Sequence, residues 1–324
     1  MLEQTRAYPK LALSFVVSTA ALTGCVVELI KTRLIDWVDK QPWRARMLPL
    51  QQGLMHNFGY SKASTSDERV VVDNYCFVIA ICSHHLVVSM ALAPAALLGW
   101  DAAGFIGQSL FYVGALGDVA FSVYDAAQIT LRTFFPSSFR RLGVQVPVKY
   151  FVVMVCLHHT LSMMLTVPML LYYPSMRAFH LIMCSQLLVG GISFLLGCYK
   201  VTLDTQHSRR EFLQCKAIVL IQFLAICCTR GYLWVSQALD AMMVFYGQGD
   251  TAFLCVALVG FLLMSLFNLL TLLDSTKAVM KWLPMQMPPK GGRKLDCHER
   301  ELKVISHEGM RRAQCASRVA LTTQ

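Results

Sequence analysis

The chain has 324 residues, of which 56% are hydrophobic and 15% charged, and its mean hydropathy is positive. That balance excludes an ordinary soluble domain, where charged residues make up roughly a quarter, and points to an all-α, polytopic membrane helix bundle. The net charge of +10 is spread through interhelical segments and the tail, where anionic lipid headgroups are the nearer partner, so no nucleic-acid partner is expected.

Seven apolar stretches follow in chain order, over residues 11–30, 75–98, 105–127, 150–172, 178–199, 212–235 and 251–273. Each can cross roughly 30 Å of hydrocarbon at about 1.5 Å per residue. The first follows Arg6 and Lys10 and contains Leu22-Thr23-Gly24-Cys25, which looks like a bacterial lipoprotein cleavage box. A processed lipoprotein would continue into a polar linker. This chain stays apolar through Val26, Val27, Leu29 and Ile30, so the first span reads as an uncleaved anchor. The connection 31–74 opens with Trp37, Pro42, Trp43 and Pro49, which suits an interfacial helix along the headgroups, and its polar run from Ser61 to Arg69 suits a flexible link. It is expected to isolate the first span from the other six, giving an anchor and linker (1–72), a six-helix membrane domain (73–283) and a basic tail (284–324). The short connections at 100–104 and 173–177 make their flanking helices antiparallel neighbours. Beyond Pro284, Pro288, Pro289, Gly291 and Gly292 break the helix, and 293–312 suits a surface helix or a disordered tail.

Lys and Arg are divided between the two sides of this layout 24 to 3, with Lys216 and Arg230 left inside spans. The positive-inside rule then places the N-terminus outside or in a lumen and the C-terminus in the cytosol, with the endoplasmic reticulum, another endomembrane or the plasma membrane as host. Of the 12 cysteines, Cys297 and Cys315 fall in the tail and the rest in or beside spans. No disulfide framework is expected, and Cys76, Cys198 and Cys215 are candidates for acylation near the cytosolic face.

Ionisable side chains inside spans are costly and are read first as functional candidates. His84 and His85 in the second span lie roughly 14 Å from its cytosolic end, and His158 and His159 in the fourth lie at a similar level. Asp118 in the third span reaches the same depth from the opposite side, and Asp118, Ser122 and Asp125 share one helix face. His158 or His159 shares a face with Ser162, Thr166 continues from His159, and His85 shares a face with Ser89. Adjacent histidines on an α-helix point about 100° apart, so at most one of each pair is expected to face a cavity squarely. A packing role for His84 and His85 stands level with a functional one, whereas two adjacent imidazoles at His158 and His159 exceed what one interhelical contact needs. Gln186, Gln222 and Asn268 read as interhelical hydrogen-bonding residues, and Arg230, placed near the lumenal end of its span, is expected to snorkel or to pair with Asp240 or Asp250. Lys216 snorkels to the cytosolic interface, and Gly190, Gly191, Ser193 and Gly197 permit close helix approach. Pro94 and Pro168 free the carbonyls of Met90 and Met164. The H-x-x-H-H clusters of membrane di-iron enzymes are missing, so no metal is expected.

These polar residues resemble the pattern of the TLC family, named after TRAM, Lag and CLN proteins. Ser83-His84-His85 looks like its early Ser/His element, Gly117 through Asp125 like its G-Y-F-x-Y-D element, and Leu157-His158-His159-Thr160 like its paired histidine. Phe223 through Arg230 resembles an F-x-x-x-R element in the next-to-last span, and Asn268 an asparagine in the last. A D-x-x-D-M ending reads here as Asp125-Ala126-Ala127-Gln128-Ile129. The family's ceramide synthases carry an acidic run after the paired histidine, whereas residues 179–199 contain no Asp or Glu, so the chain looks more like members outside that branch. The resemblance implies a multi-pass protein that binds or handles a membrane lipid, an acyl or sphingoid chain, and affects lipid composition or homeostasis. Its lipid contacts would be His84, His85, Ser122, Ser162, Gln186, Arg230 and Asn268. No cofactor is implied, membrane lipids are the partners, and a homo-oligomer is compatible with the layout. The alternative is an acyl-CoA-dependent acyltransferase, with acyl-CoA as co-substrate, His158 or His159 as general base and Asp118 or Asp125 orienting it. A receptor reading fails on the missing D-R-Y and N-P-x-x-Y elements, and a retinal protein on the missing lysine in the last span.

Overall fold

The structure is a computed structural model that describes residues 9–138 and 144–287. The expected surface helix at 293–312, Cys297 and Cys315 lie outside the described residues. All regular structure among those described is helical: α1 (Pro9–Val38), α2 (Arg44–Asn57), α3 (Lys62–Thr65), α4 (Glu68–Leu98), α5 (Trp100–Phe134), α6 (Val148–Tyr172), α7 (Arg177–Lys200), α8 (Arg209–Gly247) and α9 (Thr251–Trp282). All but α2 and α3 are long and apolar enough to cross a membrane. Their outward faces carry large apolar side chains such as Phe105, Leu97 and Leu262, a surface that water would penalise and lipid would not.

Side-chain caps mark several starts. Ser61 accepts from the Ser64 N–H, Asp67 from Arg69, Ser208 from Glu211 and Asp250 from Phe253, each satisfying a donor the helix itself leaves open. The helices overrun the apolar stretches because hydropathy stops at the first polar residues while the helical pattern continues through them. Residues 100–104, expected as a connection, are instead the first turn of α5; Gly99 (φ +87) and Gly104 (φ +60) take backbone conformations that side chains resist, and the chain reverses and kinks there.

Six helices close a ring in the spatial order α4, α5, α6, α9, α8, α7, and α7 returns to α4. α1 packs on the outside of this ring against α4 and α5. The first span is therefore docked and not set apart by its linker. Val27 is buried against Phe77, Ala80 and Phe121, the buried Lys31 ammonium bridges Glu28 at 2.7 Å and Asp73 at 3.0 Å, and the Tyr124 hydroxyl donates to Glu28. Gly24 explains the tetrapeptide that looks like a cleavage box: a Cβ there would stand 2.5 Å from the Tyr124 ring. The region 61–69 is likewise no flexible link, since α3 and the start of α4 occupy it and His56 is hydrogen-bonded to the buried Thr65. α2 packs through Met47, Leu48 and Met55 onto Val71, Val72 and Tyr75 of α4, and the Arg46 guanidinium reaches the Thr202 carbonyl and Asp204 beyond α7.

These contacts gather the ends rich in Lys and Arg at one end of the bundle, called here the basic end. Lys149 donates to the Asn57 carbonyl and Lys216 to the Leu283 carbonyl at that end. The sparse end is tied by the Tyr173 hydroxyl donating to Asp250 and by Trp100 stacked on His180. The Asp250 carboxylate holds the Tyr173 phenol above its ordinary pKa. Cys76 and Cys215 are fully buried, which removes them as acylation candidates; Cys198 is half-buried.

Candidate functional site

Inside the six-helix ring lies a cavity of about 280 Å³, lined by residues from all six helices. His85, Asp118 and Ser122 reach it from α4 and α5, His158, His159 and Ser162 from α6, and Gln186 and Arg230 from α7 and α8. Of the residues expected at one depth, His85, Asp118, His158 and His159 are thus brought to one chamber, and His84 is not. The wall on either side of this polar belt is apolar or aromatic, with Met169, Phe179, Trp234 and Phe245 toward the sparse end and Val78, Ile81 and Met154 toward the basic end. Phe194 lines the cavity and is 59% exposed, so the lumen reaches the outer surface beside α7.

Two π-helical stretches, in which backbone bonding widens to i→i+5, shape the belt: Val152–His159 in α6 and Cys227–Leu233 in α8. Val155 accepts from the Thr160 hydroxyl five residues on, which supports the first of them. A wider turn rotates successive side chains by less than an α-helix does, and both His158 and His159 line the cavity, against the expectation that only one could. On the regular helix α4 the expectation holds: His85 lines the cavity, while His84 lies against Phe121 at 4.8 Å between ring centroids.

His159 is held by the strongest polar contact of the site. Its Nε2 lies 2.8 Å from Asp125 Oδ2, with both side chains 3% exposed, and the other carboxylate oxygen accepts from Gln128 Nε2 at 2.8 Å. Asp125 itself stands behind the wall. Gln128 occupies the second acidic position of the D-x-x-D-M-like ending and supplies a donor where an Asp would repel. Asp118 lies 3.8 Å from His85 Nδ1, which is beyond hydrogen-bond range.

His158 stacks on Phe267 of α9 at 5.4 Å, and the Arg230 guanidinium sits over the same ring at 5.7 Å. Arg230 Nη1 donates to Asn268 Oδ1 at 2.8 Å. Its expected partners are not used: Asp250 is taken by Tyr173, and α8 continues to Gly247, which puts Arg230 mid-helix instead of near its end. The α8 sequence after Val235 contains Ser236, Gln237 and Asp240, and that polarity hides the helix's true length.

Several belt atoms have no partner. His85 Nδ1, His158 Nδ1, His159 Nδ1 and both amide atoms of Gln186 are buried without a hydrogen bond. Buried polar groups are normally satisfied, so such a cluster around one cavity marks a place for a polar guest. Gln186, expected to link helices, is in this unsatisfied group, whereas Gln222 does link them by donating to the Ser193 carbonyl, and Asn268 by holding Arg230. Gly191 faces the Cys82 carbonyl at a separation that leaves a Cβ only 3.0 Å away, a packing glycine; Gly190 has open space and lines the cavity. The sequence reading missed Phe267, next to the noted Asn268, and Tyr150, which lines the cavity above the basic end. It also missed His180, which is fully buried, bonded to the Pro174 carbonyl and apart from the cavity. Among the described residues no group of three or more His, Cys, Asp or Glu side chains is placed to hold a metal ion.

No family model, curated protein or solved structure matches this chain.

Proposed function

We propose that this is a multi-pass membrane protein of the TLC type that binds a membrane lipid by its acyl or sphingoid chain inside the six-helix ring and thereby affects membrane lipid composition. The observation that carries this reading is the pairing of an apolar chamber with a mid-depth belt whose ring nitrogens and Gln186 amide lack protein partners. A chain fills the apolar wall, and a polar head offers the belt its missing hydrogen bonds. The exposed Phe194 at the rim gives lateral access from the surrounding lipid. On the positive-inside rule the basic end would face the cytosol and the N-terminus the outside or a lumen, and the host membrane we propose is an endomembrane or the plasma membrane. Mass spectrometry of the full chain purified in mild detergent tests the reading. The expected result is co-purifying lipid that is lost in Gly190→Phe, at a cavity-lining position where an added Cβ meets no atom within 4 Å. Equal lipid retention in the two proteins would overturn it.

One observation favours the second reading, an acyl-CoA-dependent acyltransferase. With the Nε2 proton donated to Asp125, His159 presents an Nδ1 lone pair, the arrangement a general base needs. An amine or hydroxyl at the belt would pass its proton to Nδ1 while attacking a thioester carbonyl; collapse of the tetrahedral intermediate breaks the C–S bond, and the imidazolium, stabilised by the Asp125 carboxylate, returns the proton to the leaving CoA thiolate. This reading demands acyl-CoA consumption that His159→Ala abolishes.

A further inference from the structure

Arg230 is a permanent cation in the wall of a largely apolar cavity, and its one hydrogen-bond partner among the described residues, Asn268, is neutral. A guanidinium carries five N–H donors and stays charged in proteins, so one amide oxygen and the face of Phe267 5.7 Å away leave it without a counter-anion and most of its donors without an acceptor. Buried charges are normally paired, because removing them from water is costly unless an opposite charge meets them. Of the two belt carboxylates, Asp125 is bonded to His159 and Gln128, whereas Asp118 lines the cavity 3.8 Å from His85, outside hydrogen-bond range, and forms no ion pair with Arg230. No carboxylate among the described residues forms an ion pair with Arg230. The π-helical stretch that carries Arg230 packs against α7, the helix that brings Gln186 to the same cavity with both amide atoms unsatisfied.

We infer that the guest of this cavity is a single-chain amphiphile with an anionic head, a long-chain carboxylate, held by the Arg230 fork and the Gln186 amide. The inference rests on the lipid-binding reading above and names its substrate class. Arg230 and a carboxylate match in shape and charge, since two parallel N–H groups meet two oxygens. The Gln186 N–H adds a third donor, and its carbonyl stays available to a water or a second polar group. A cationic sphingoid amine would instead place like charge against Arg230. The volume of about 280 Å³ lies at the small end of ligand sites and favours one chain over a two-chained phospholipid. Beyond Arg230 toward the sparse end the wall is apolar through Trp234, Ala238, Ala241 and Phe245, a run of about 22 Å along α8 at the helical rise. That length suits a long tail and not a short one.

The test is equilibrium binding of labelled palmitate to the purified full chain in nanodiscs, with hexadecanol and sphinganine as competitors of matched tail and different head. Palmitate is expected to bind, unlabelled hexadecanol and sphinganine to compete at least about tenfold more weakly, and Arg230→Gln to lower palmitate affinity about tenfold or more while leaving hexadecanol competition unchanged. Arg230→Lys, which keeps the charge and loses the fork, falls between. Gln186→Leu gives a smaller loss of palmitate affinity and serves as the independent variant if Arg230→Gln does not fold. Equal competition by all three heads, or equal loss for palmitate and hexadecanol in the variants, overturns the carboxylate assignment while the lipid cavity stands. Palmitate binding that Gly190→Phe leaves intact overturns the cavity reading itself.

Discussion

The bundle has a solid side and a hollow side. α1, α4 and α5 pack on one another so closely that half of α5's most apolar stretch is buried, whereas α9 buries 11% of its own and α6 17%. Away from the cavity the solid side matches its polar groups, Lys31 with Glu28 and Asp73 and Tyr75 with the Cys198 carbonyl, and leaves open His84 Nε2 and, at the cavity, His85 Nδ1. On the hollow side they are left open, as at His158, Gln186 and Arg230. The difference teaches that the unsatisfied groups are not a general feature of loose packing. Those of His85, His158, His159 and Gln186 surround the cavity, while other hollow-side polar groups, such as Trp234 donating to Ser265, are paired. Stability and the site thereby draw on overlapping helices, with α4 and α5 serving both through His85 and the two aspartates.

Two phenylalanines break this comparison most sharply. Phe111 of α5 has no exposure and meets Trp100, Phe179 and His180 at ring distances of 5.9, 5.6 and 4.4 Å. Phe261 of α9 lines the cavity. In a membrane the unfolded helix is already surrounded by lipid, so the cost of truncation is chiefly the void it leaves. Phe111→Ala is expected to lower stability by about 2–3 kcal/mol, and Phe261→Ala by less, about 1 kcal/mol, because Phe261 borders the cavity and among the described residues keeps one ring contact, a stack on Trp234 at 6.3 Å. Thermal unfolding of both variants in the same detergent measures the gap, and equal losses would erase the distinction between the sides.

The solid side was legible in outline from the sequence and the hollow side in its parts list. Apolar length alone gives the seven long helices, and the depths of His85, Asp118 and His158 follow from counting along them. What counting could not give was lateral contact. Lys31 finds Asp73 across a helix interface, Arg230 finds Asn268 from another span, and nothing local in either segment names the partner. The π-helical stretch ending at His159 is hidden for the same reason, because a widened turn depends on how the neighbours pack and has no residue signature comparable to proline or glycine. The polar residues after Val235 concealed the length of α8 and with it the true level of Arg230.

The seam between the two sides is the His159–Asp125 pair. Asp125→Ala removes the acceptor of both His159 and Gln128 and leaves two buried donors open. A loss of about 1–2 kcal/mol is expected, the upper range for polar contacts between membrane helices. His159→Ala costs a similar amount, and the double variant costs clearly less than the two together if the residues act through each other. Strict additivity would show that the 2.8 Å contact joins the helices without energetic coupling.

The smallest effect lies at the basic end, where Arg46 of α2 meets Asp204 at 3.3 Å and fastens the linker to the α7–α8 connection. Partial burial raises the Asp204 carboxyl, but hydrogen bonds from the His207 and Gln206 backbone and from the His207 ring outweigh it and hold the group below the ordinary carboxylate pKa. A depressed folded pKa means that the contribution is complete above the unfolded value of about 3.9 and is lost as pH falls through the folded one. Asp204→Asn should therefore be less stable than the parent by about 0.5 kcal/mol near neutral pH, with the difference closing only in acid below about pH 4. Because other carboxylates titrate in the same range, the measured quantity is the difference between the two proteins at each pH and not either curve alone. A difference that persists undiminished in acid would mean that the clamp rests on packing of Arg46 and not on the charge of Asp204, and the linker would then be fastened to the ring by the Thr202 carbonyl contact instead.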